Sequence, residues 1–181
     1  MNKKLLKILV CPYCKSRLEL DPRTVLQGNI ANGTLLCRMC KEKFPIINSI
    51  PRFINKTTNK KTKDSFNFEW DFYKYTKEQK KYYEKQIFDF LKEDKNFFRN
   101  KLMLEVGCAV GRQTKAIADY CKDIVILDIS DNIEKVPKKD NVHPIQCDIM
   151  NIPLKEGIFD FIYSRGVFHH TPSTKKAFEN S

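Results

Sequence analysis

Two Cys-x-x-Cys pairs, Cys11-Pro12-Tyr13-Cys14 and Cys37-Arg38-Met39-Cys40, constrain this chain more than any other feature. Each pair sets two thiolates at the ends of a tight loop, within reach of one ion, and the 22 residues between the pairs are a return path that brings the second pair back to the first. Four thiolates at about 2.3 Å fill a tetrahedral shell around zinc and leave no open position, so the metal is expected to hold structure rather than perform chemistry. Iron suits the same shell. A redox-active Cys-x-x-Cys or plain buried cysteines are the competing readings, but two matched pairs seldom arise by accident. The chain has seven cysteines, an odd number that favours reduced, metal-binding thiols over disulfides, and Cys108, Cys121 and Cys147 read as small core residues.

A metal knuckle needs a body to sit on. The 181 residues are 41% hydrophobic, with 13 Phe and 7 Tyr, which argues against disorder and allows a packed core. No apolar run approaches the roughly 18 residues that would span a bilayer, and Met1 to Val10 is too short, and too soon followed by Cys-Pro, for a secretory signal. A cytoplasmic chain is the expectation. The formal charge of +11 is uneven: residues 1–50 carry 9 basic and 3 acidic side chains, residues 51–100 carry 13 and 8, and residues 101–181 carry 11 of each. A basic first half suits phosphate-bearing partners or a membrane surface, or is a solvated face that aids solubility.

Short apolar segments and turn signals (Pro12, Asn32-Gly33, Pro45) predict a small unit of strands over residues 1–55. Residues 56–65 are polar and lysine-rich and read as a flexible linker. Residues 66–100 follow as an aromatic segment and a helix. Phe66, Phe68, Trp70, Phe72, Tyr73 and Tyr75 are too many aromatics to leave in water, so they are expected to close over another part of the fold or a ligand. Thr76 with Gln79 is a capping box, and Tyr83, Ile87, Phe90 and Leu91 form one helical stripe. Over residues 101–181 the pattern becomes alternating strand and helix: strands at 102–106, 124–127, 142–146 and 159–163, a helix at 112–120. This predicts an α/β fold with a parallel sheet.

Leu104-Glu105-Val106-Gly107-Cys108-Ala109-Val110-Gly111 joins the first of these strands to a helix, where glycines let backbone amides approach an anionic ligand. Gly107 to Gly111 spans four steps, one fewer than the dinucleotide fingerprint. Asp128, 21 residues after Gly107 at the end of the second strand, is placed to accept from two ribose hydroxyls. Asp148, after the third, can receive an exocyclic adenine amine. His169 and His170 follow the fourth strand at its carboxyl end, where an imidazole can take a proton from an acceptor; His169 is the candidate catalytic group, and membership of the following turn is the alternative for either.

Two resemblances follow from these residues. Leu5-Leu6-Lys7-Ile8-Leu9-Val10 with the cysteine pairs, Phe44-Pro45-Ile46 and Ile50-Pro51-Arg52-Phe53 resembles the small zinc-ribbon family whose free-standing members activate tRNA and release-factor methyltransferases. That likeness implies a non-catalytic, stabilising ribbon. From about Phe68 onward, Glu69-Trp70, the glycine loop, Asp128, Asp148, Phe159-Asp160-Phe161-Ile162-Tyr163-Ser164 and Gly166-Val167-Phe168-His169-His170-Thr171-Pro172 resemble the class I S-adenosylmethionine-dependent methyltransferases of the type-11 group. The resemblance implies a Rossmann-like doubly wound sheet and S-adenosylmethionine as cofactor. Glu105, Gly107 and Gly111 would shape the methionine pocket, Asp128 would hold the ribose, and Asp148 with the Ile149 amide the adenine, with Cys108, Ala109, Ile129 and Ser164 alongside. That family usually has Gly at the position of Ala109, where a positive φ would cost Ala on the order of 1 kcal/mol.

Related methyltransferases have seven strands in the order 3-2-1-4-5-7-6, and four are expected here, so the reading is of a C-terminally truncated domain. The fourth strand would be an open edge, to be covered by a protein partner, a second copy or a missing segment. A methyltransferase acting on a small-molecule or RNA acceptor is the leading expectation. The alternative is a non-catalytic ribbon module or adaptor for RNA or a protein.

Overall fold

The computed structural model describes residues 1–54, 60–73 and 76–180. Alternating burial builds its N-terminal strands. In β2 (Asn29–Cys37) Ala31, Gly33, Leu35 and Cys37 are buried while the residues between them are half-exposed, the signature of a strand with one face on a core. β2 pairs antiparallel with β1 (Leu18–Leu26) and β3 (Lys43–Ile47), and β3 with β4 (Ile50–Phe53). The tight turns fall where residues accept a left-handed backbone: Gln27-Gly28 (φ 47° and 78°) and Asn48-Ser49 (φ 53° and 66°). Asn32-Gly33 and Pro45, expected as turns, lie inside β2 and β3 instead. Gly33 is needed for closeness: a Cβ there would come within 2.8 Å of the Asp21 carbonyl on β1.

β4 does not end the sheet. Arg52 and Phe53 pair in parallel with Gln146 and Cys147 of β7 (Val142–Cys147), which continues into β6 (Asp123–Asp128), β5 (Leu102–Val106) and β8 (Phe161–Ser164), all parallel. The result is one eight-stranded sheet in the order β1-β2-β3-β4-β7-β6-β5-β8. Its parallel part is the expected Rossmann-like half. Successive residues of β5 and β6 point to opposite faces and feed two cores. Leu104, Val106, Val125 and Leu127 join Leu9, Leu35, Phe44 and Phe53 of the N-terminal unit in one cluster, while Met103, Ile124 and Ile126 pack with Ile87, Phe98 and Ile117 on the other side.

Among the described residues there are four α-helices, α1 (Lys60–Asp71), α2 (Lys77–Leu91), α3 (Arg112–Ile117) and α4 (Thr174–Glu179), besides short 3-10 turns. The expected flexible linker thus becomes helical from Lys60, and residues 55–59 lie outside the described residues. α2 opens on the capping box, with Thr76 and Gln79 bonded reciprocally. Within its stripe Ile87 is buried, but Phe90 is 79% exposed because it stands beside Tyr163 and Ser164 at the open β8 edge, where nothing described covers it. Phe68 and Phe72, expected to be covered, also face solvent, and Tyr75 lies outside the described residues. No described helix is long and apolar enough to cross a membrane.

Candidate functional site

The four cysteines of the two pairs converge as their spacing implied. Their sulfurs lie within 4.8 Å of one another, with Cys11 to Cys40 at 3.5 Å and Cys14 to Cys37 at 3.4 Å. A tetrahedral shell with bonds of about 2.3 Å has edges of about 3.8 Å, so the cluster is close to the size of a zinc site and needs little adjustment to hold one. Ser16 donates to Cys14 and lowers its thiol to about 6. The knuckle is tied to the parallel part: Val10 N donates to Pro153 O (2.9 Å), Lys155 N to Ile8 O (3.0 Å) and Lys15 Nζ to Ile152 O (2.9 Å).

The second site lies at the carboxyl ends of β5, β6 and β7, the edge where parallel sheets bind ligands. Between β5 and α3 the chain alternates in and out of the left-handed region, with φ of 78° at Gly107, 49° at Ala109 and 74° at Gly111. Gly107 is confined further, since a Cβ would fall 2.3 Å from a Val167 methyl. Ala109, where the methyltransferase likeness leads one to expect Gly, carries the strain in full. The loop is held by Gly107 N and Cys108 N, which both donate to Leu127 O (2.8 and 3.0 Å), and by Ala109 N, which donates to Asp128 Oδ2 (2.6 Å). Asp128 Oδ1 accepts from the backbone and hydroxyl of Ser130 (2.8 and 2.7 Å). Burial pushes the Asp128 carboxyl up, and these donors oppose the shift.

Gly107, Ala109, Asp128, Ile129, Asp148 and Ile149 line one cavity together. Asp148 also caps the short helix after β7, accepting from Met150 N at 2.9 Å. The remaining expected residues stand elsewhere. Glu105 is buried behind the loop, accepts a hydrogen bond from the Thr114 hydroxyl, and is pushed by burial to about 7. Cys108 and Gly111 are buried; Ser164 donates its hydroxyl to Val106 O (3.1 Å) and faces the β8 edge. His170, not His169, is on the cavity wall, with its ring 5.3 Å from Phe66 and 4.0 Å from His169. Phe66, Trp70 and Arg112 also line the cavity; the aromatic run pointed to the first two, and nothing marked Arg112 beyond its place after Gly111.

Known proteins match both halves. A family model described as "Trm112p-like protein" matches residues 2–49, and one described as "Methyltransferase domain" matches residues 104–181. A UPF0434 protein of Dechloromonas aromatica (strain RCB) is 38% identical over 64 residues, 35% of this chain and 97% of that protein. Through its ribbon the chain belongs to the UPF0434 family. Behind the UPF0434-like ribbon it carries a methyltransferase domain. A candidate S-adenosyl-L-methionine-dependent methyltransferase of Methanococcus maripaludis shares the fold, with a TM-score of 0.50 at 18% identity over 70% of this chain and 60% of its own. The complex between the Haloferax volcanii Trm112 methyltransferase activator and a candidate methyltransferase gives a TM-score of 0.48 at 14% identity over 64% of this chain. This chain spans less than two thirds of either solved chain, 60% and 53%.

Proposed function

We propose that the chain is an S-adenosylmethionine-dependent methyltransferase whose ribbon, residues 1–55, acts as a built-in, zinc-stabilised support for the cofactor-binding part, residues 101–181. The observation that carries this is the convergence of Asp128, Asp148 and the left-handed loop at Gly107–Gly111 on one cavity. A dinucleotide would need the longer glycine spacing. In this reading Asp128 accepts from the ribose hydroxyls, Asp148 and the Ile149 amide take the adenine, and the loop backs the amino-acid end. The cofactor, when bound, supplies an electrophilic methyl group. His170 is the proton acceptor on the cavity wall, steadied by Phe66 and His169, and the enclosing aromatics exclude water from the acceptor.

The ribbon supports the site through the seam between β4 and β7. Arg52 Nη1 donates to Gln146 Oε1 (2.6 Å), and Gln146 Nε2 donates to Ile129 O (3.1 Å), one residue beyond Asp128. Calorimetric titration of the chain with S-adenosylmethionine tests the proposal. Asp128→Asn, which keeps the side chain's shape, should weaken binding by about 10-fold or more, the value of a hydrogen bond to a charged group. Equal affinity in a folded variant would overturn the site.

A further inference from the structure

α1 forms one wall of the cavity that Asp128 and Asp148 line, contributing Thr62, Phe66, Glu69 and Trp70. None of its residues is buried. On the cavity side it makes ring contacts: Phe66 stands edge-on to His170 at 5.3 Å, and the Trp70 centroid lies 4.2 Å from the central carbon of the Arg112 guanidinium. Polar contacts tie it to one short turn, Asp131–Lys135, in the segment that follows Asp128. Asp131 is the hub of these contacts. Its Oδ2 accepts from Asn67 Nδ2 and Lys63 Nζ, each at 2.9 Å, and its backbone N–H donates to Asn67 Oδ1 at 2.8 Å. Its Oδ1 accepts from Gln146 Nε2 at 2.8 Å. From the same turn, Asn132 Nδ2 donates to Asn67 O (2.9 Å) and Lys135 Nζ to Asp71 Oδ1 (2.7 Å). Neither Asp131 nor Asn67 lines the cavity.

A helix mounted in this way detaches easily. Its 12 residues are a marginal length for a helix in water without a partner, and no buried side chain anchors it. The ion pairs and hydrogen bonds that hold it are partly exposed, so each contributes little and the ionic ones weaken with salt. Lifting α1 would remove the wall opposite Asp128 and Asp148 and open the cavity to ligand. We infer that α1 is a lid on the nucleoside cavity and that Asp131 is its clasp, a positioning residue that acts on the site through Asn67 and Lys63. The inference rests on the reading of Asp128 and Asp148 as the nucleoside holders. The clasp also ties the lid to the ribbon: Arg52 Nη1 comes within 4.0 Å of Asp131 Oδ1, and Arg52 pairs with Glu134 of the same turn. Ribbon and lid therefore share one mount. When closed, α1 keeps water from the cavity; when open, it lets the nucleoside in and out.

Two variants outside the cavity test this. Asp131→Asn keeps the side chain's shape and removes the charge that faces Lys63, and Asn67→Ala removes the amide that bonds Asp131 twice. Because a detached α1 loses its helix, hydrogen exchange of the amides of residues 60–71, followed by mass spectrometry without ligand, reads the open population. Exchange should be about 3- to 10-fold faster in either variant, the range for two or three surface contacts. In ~1 M salt, where the screening length is about 3 Å, the wild-type chain should exchange faster too, and Asp131→Asn, already without that ion pair, should respond less. The second measurement is stopped-flow mixing with S-adenosylhomocysteine, read by emission of Trp70, the single tryptophan of the chain. Association and dissociation should both quicken by a similar factor, leaving the affinity within about twofold, the signature of a loosened gate. Exchange over residues 60–71 that stays at the wild-type rate in a folded Asp131→Asn chain overturns the clasp; if that variant does not fold, the same result in Asn67→Ala overturns it. Faster exchange with unchanged binding rates overturns the lid. A wild-type chain that binds no S-adenosylhomocysteine overturns the nucleoside site, and the ligand-free exchange then still decides whether Asp131 holds α1.

Discussion

Ala109 sits at φ 49° between two glycines that share its handedness, in a loop whose amide is pinned by Asp128. The left-handed region is open to glycine and penalises a Cβ, so Ala109→Gly should stabilise the chain by about 1 kcal/mol, less the extra freedom glycine gives the unfolded state. A urea unfolding midpoint that does not rise would mean the loop has relaxed around the methyl. Glu105 offers a second test. Burial holds its carboxyl at about 7 against an ordinary value of 4.5, so across that interval the native chain keeps a proton the unfolded chain has released. The stability this contributes is complete below pH of about 4.5 and is lost as pH rises to about 7, and the buried Asp128, also shifted upward, adds in the same direction. Glu105→Gln still accepts from Thr114 and cannot ionise, so its unfolding midpoint should fall less than the wild type's between pH 5 and 7. Much at this scale was legible in the order of residues, because loop spacing and strand-end acids leave local marks. Arg112 was not, since a charged residue opening a helix is ordinarily a surface residue and only the fold shows Trp70, Tyr73 and Tyr83 around it.

At the scale of elements, the knuckle and the segment after β7 are built against each other. Ile152, Pro153 and Lys155 bond to Lys15, Val10 and Ile8, and the same segment begins at Ile149 on the cavity wall. Chelating the zinc proposed for the knuckle should therefore do more than lower the melting temperature by the several degrees expected from losing a structural zinc: affinity for S-adenosylmethionine should fall severalfold as residues 149–155 lose their backing. Metal analysis giving one ion per chain, with unchanged cofactor affinity after its removal, would show that the seam holds without the ion. α1 shows where pattern reading stopped short. Its lysines looked like a tether, yet lysine is a good helix former, and the helix is fastened by partners far along the chain, with Asn132 Nδ2 donating to Asn67 O (2.9 Å) and Lys135 Nζ to Asp71 Oδ1 (2.7 Å). Such contacts leave no trace in a window of ten residues.

The whole molecule is one sheet with unlike ends. On one side the ribbon closes the β7 edge; on the other β8 is unpaired among the described residues, with Ile162 41% exposed on it and Phe90 beside it. An open, partly apolar edge is a template for association, so the chain should self-associate with rising concentration, and Ile162→Lys should suppress this without lowering the melting temperature. Sedimentation velocity distinguishes the two, and a monomer at every concentration would remove the edge as a liability. The parallel strands were expected from the alternating pattern and their order around β5 from the methyltransferase resemblance, but the junction of β4 with β7 was not, because Arg52 and Gln146 are 94 residues apart and nothing near either one announces the other.

That separation sets a clock during synthesis. β4 is complete at Phe53, while its partner on β7 ends at Cys147, and at roughly 5–20 residues per second the ribosome needs on the order of 5–20 s to deliver it. For that interval the nascent ribbon holds out a bare strand whose proper neighbour does not yet exist. An edge left open that long is a template for wrong pairing, so slowing synthesis over residues 54–147 should lower the yield of folded chain.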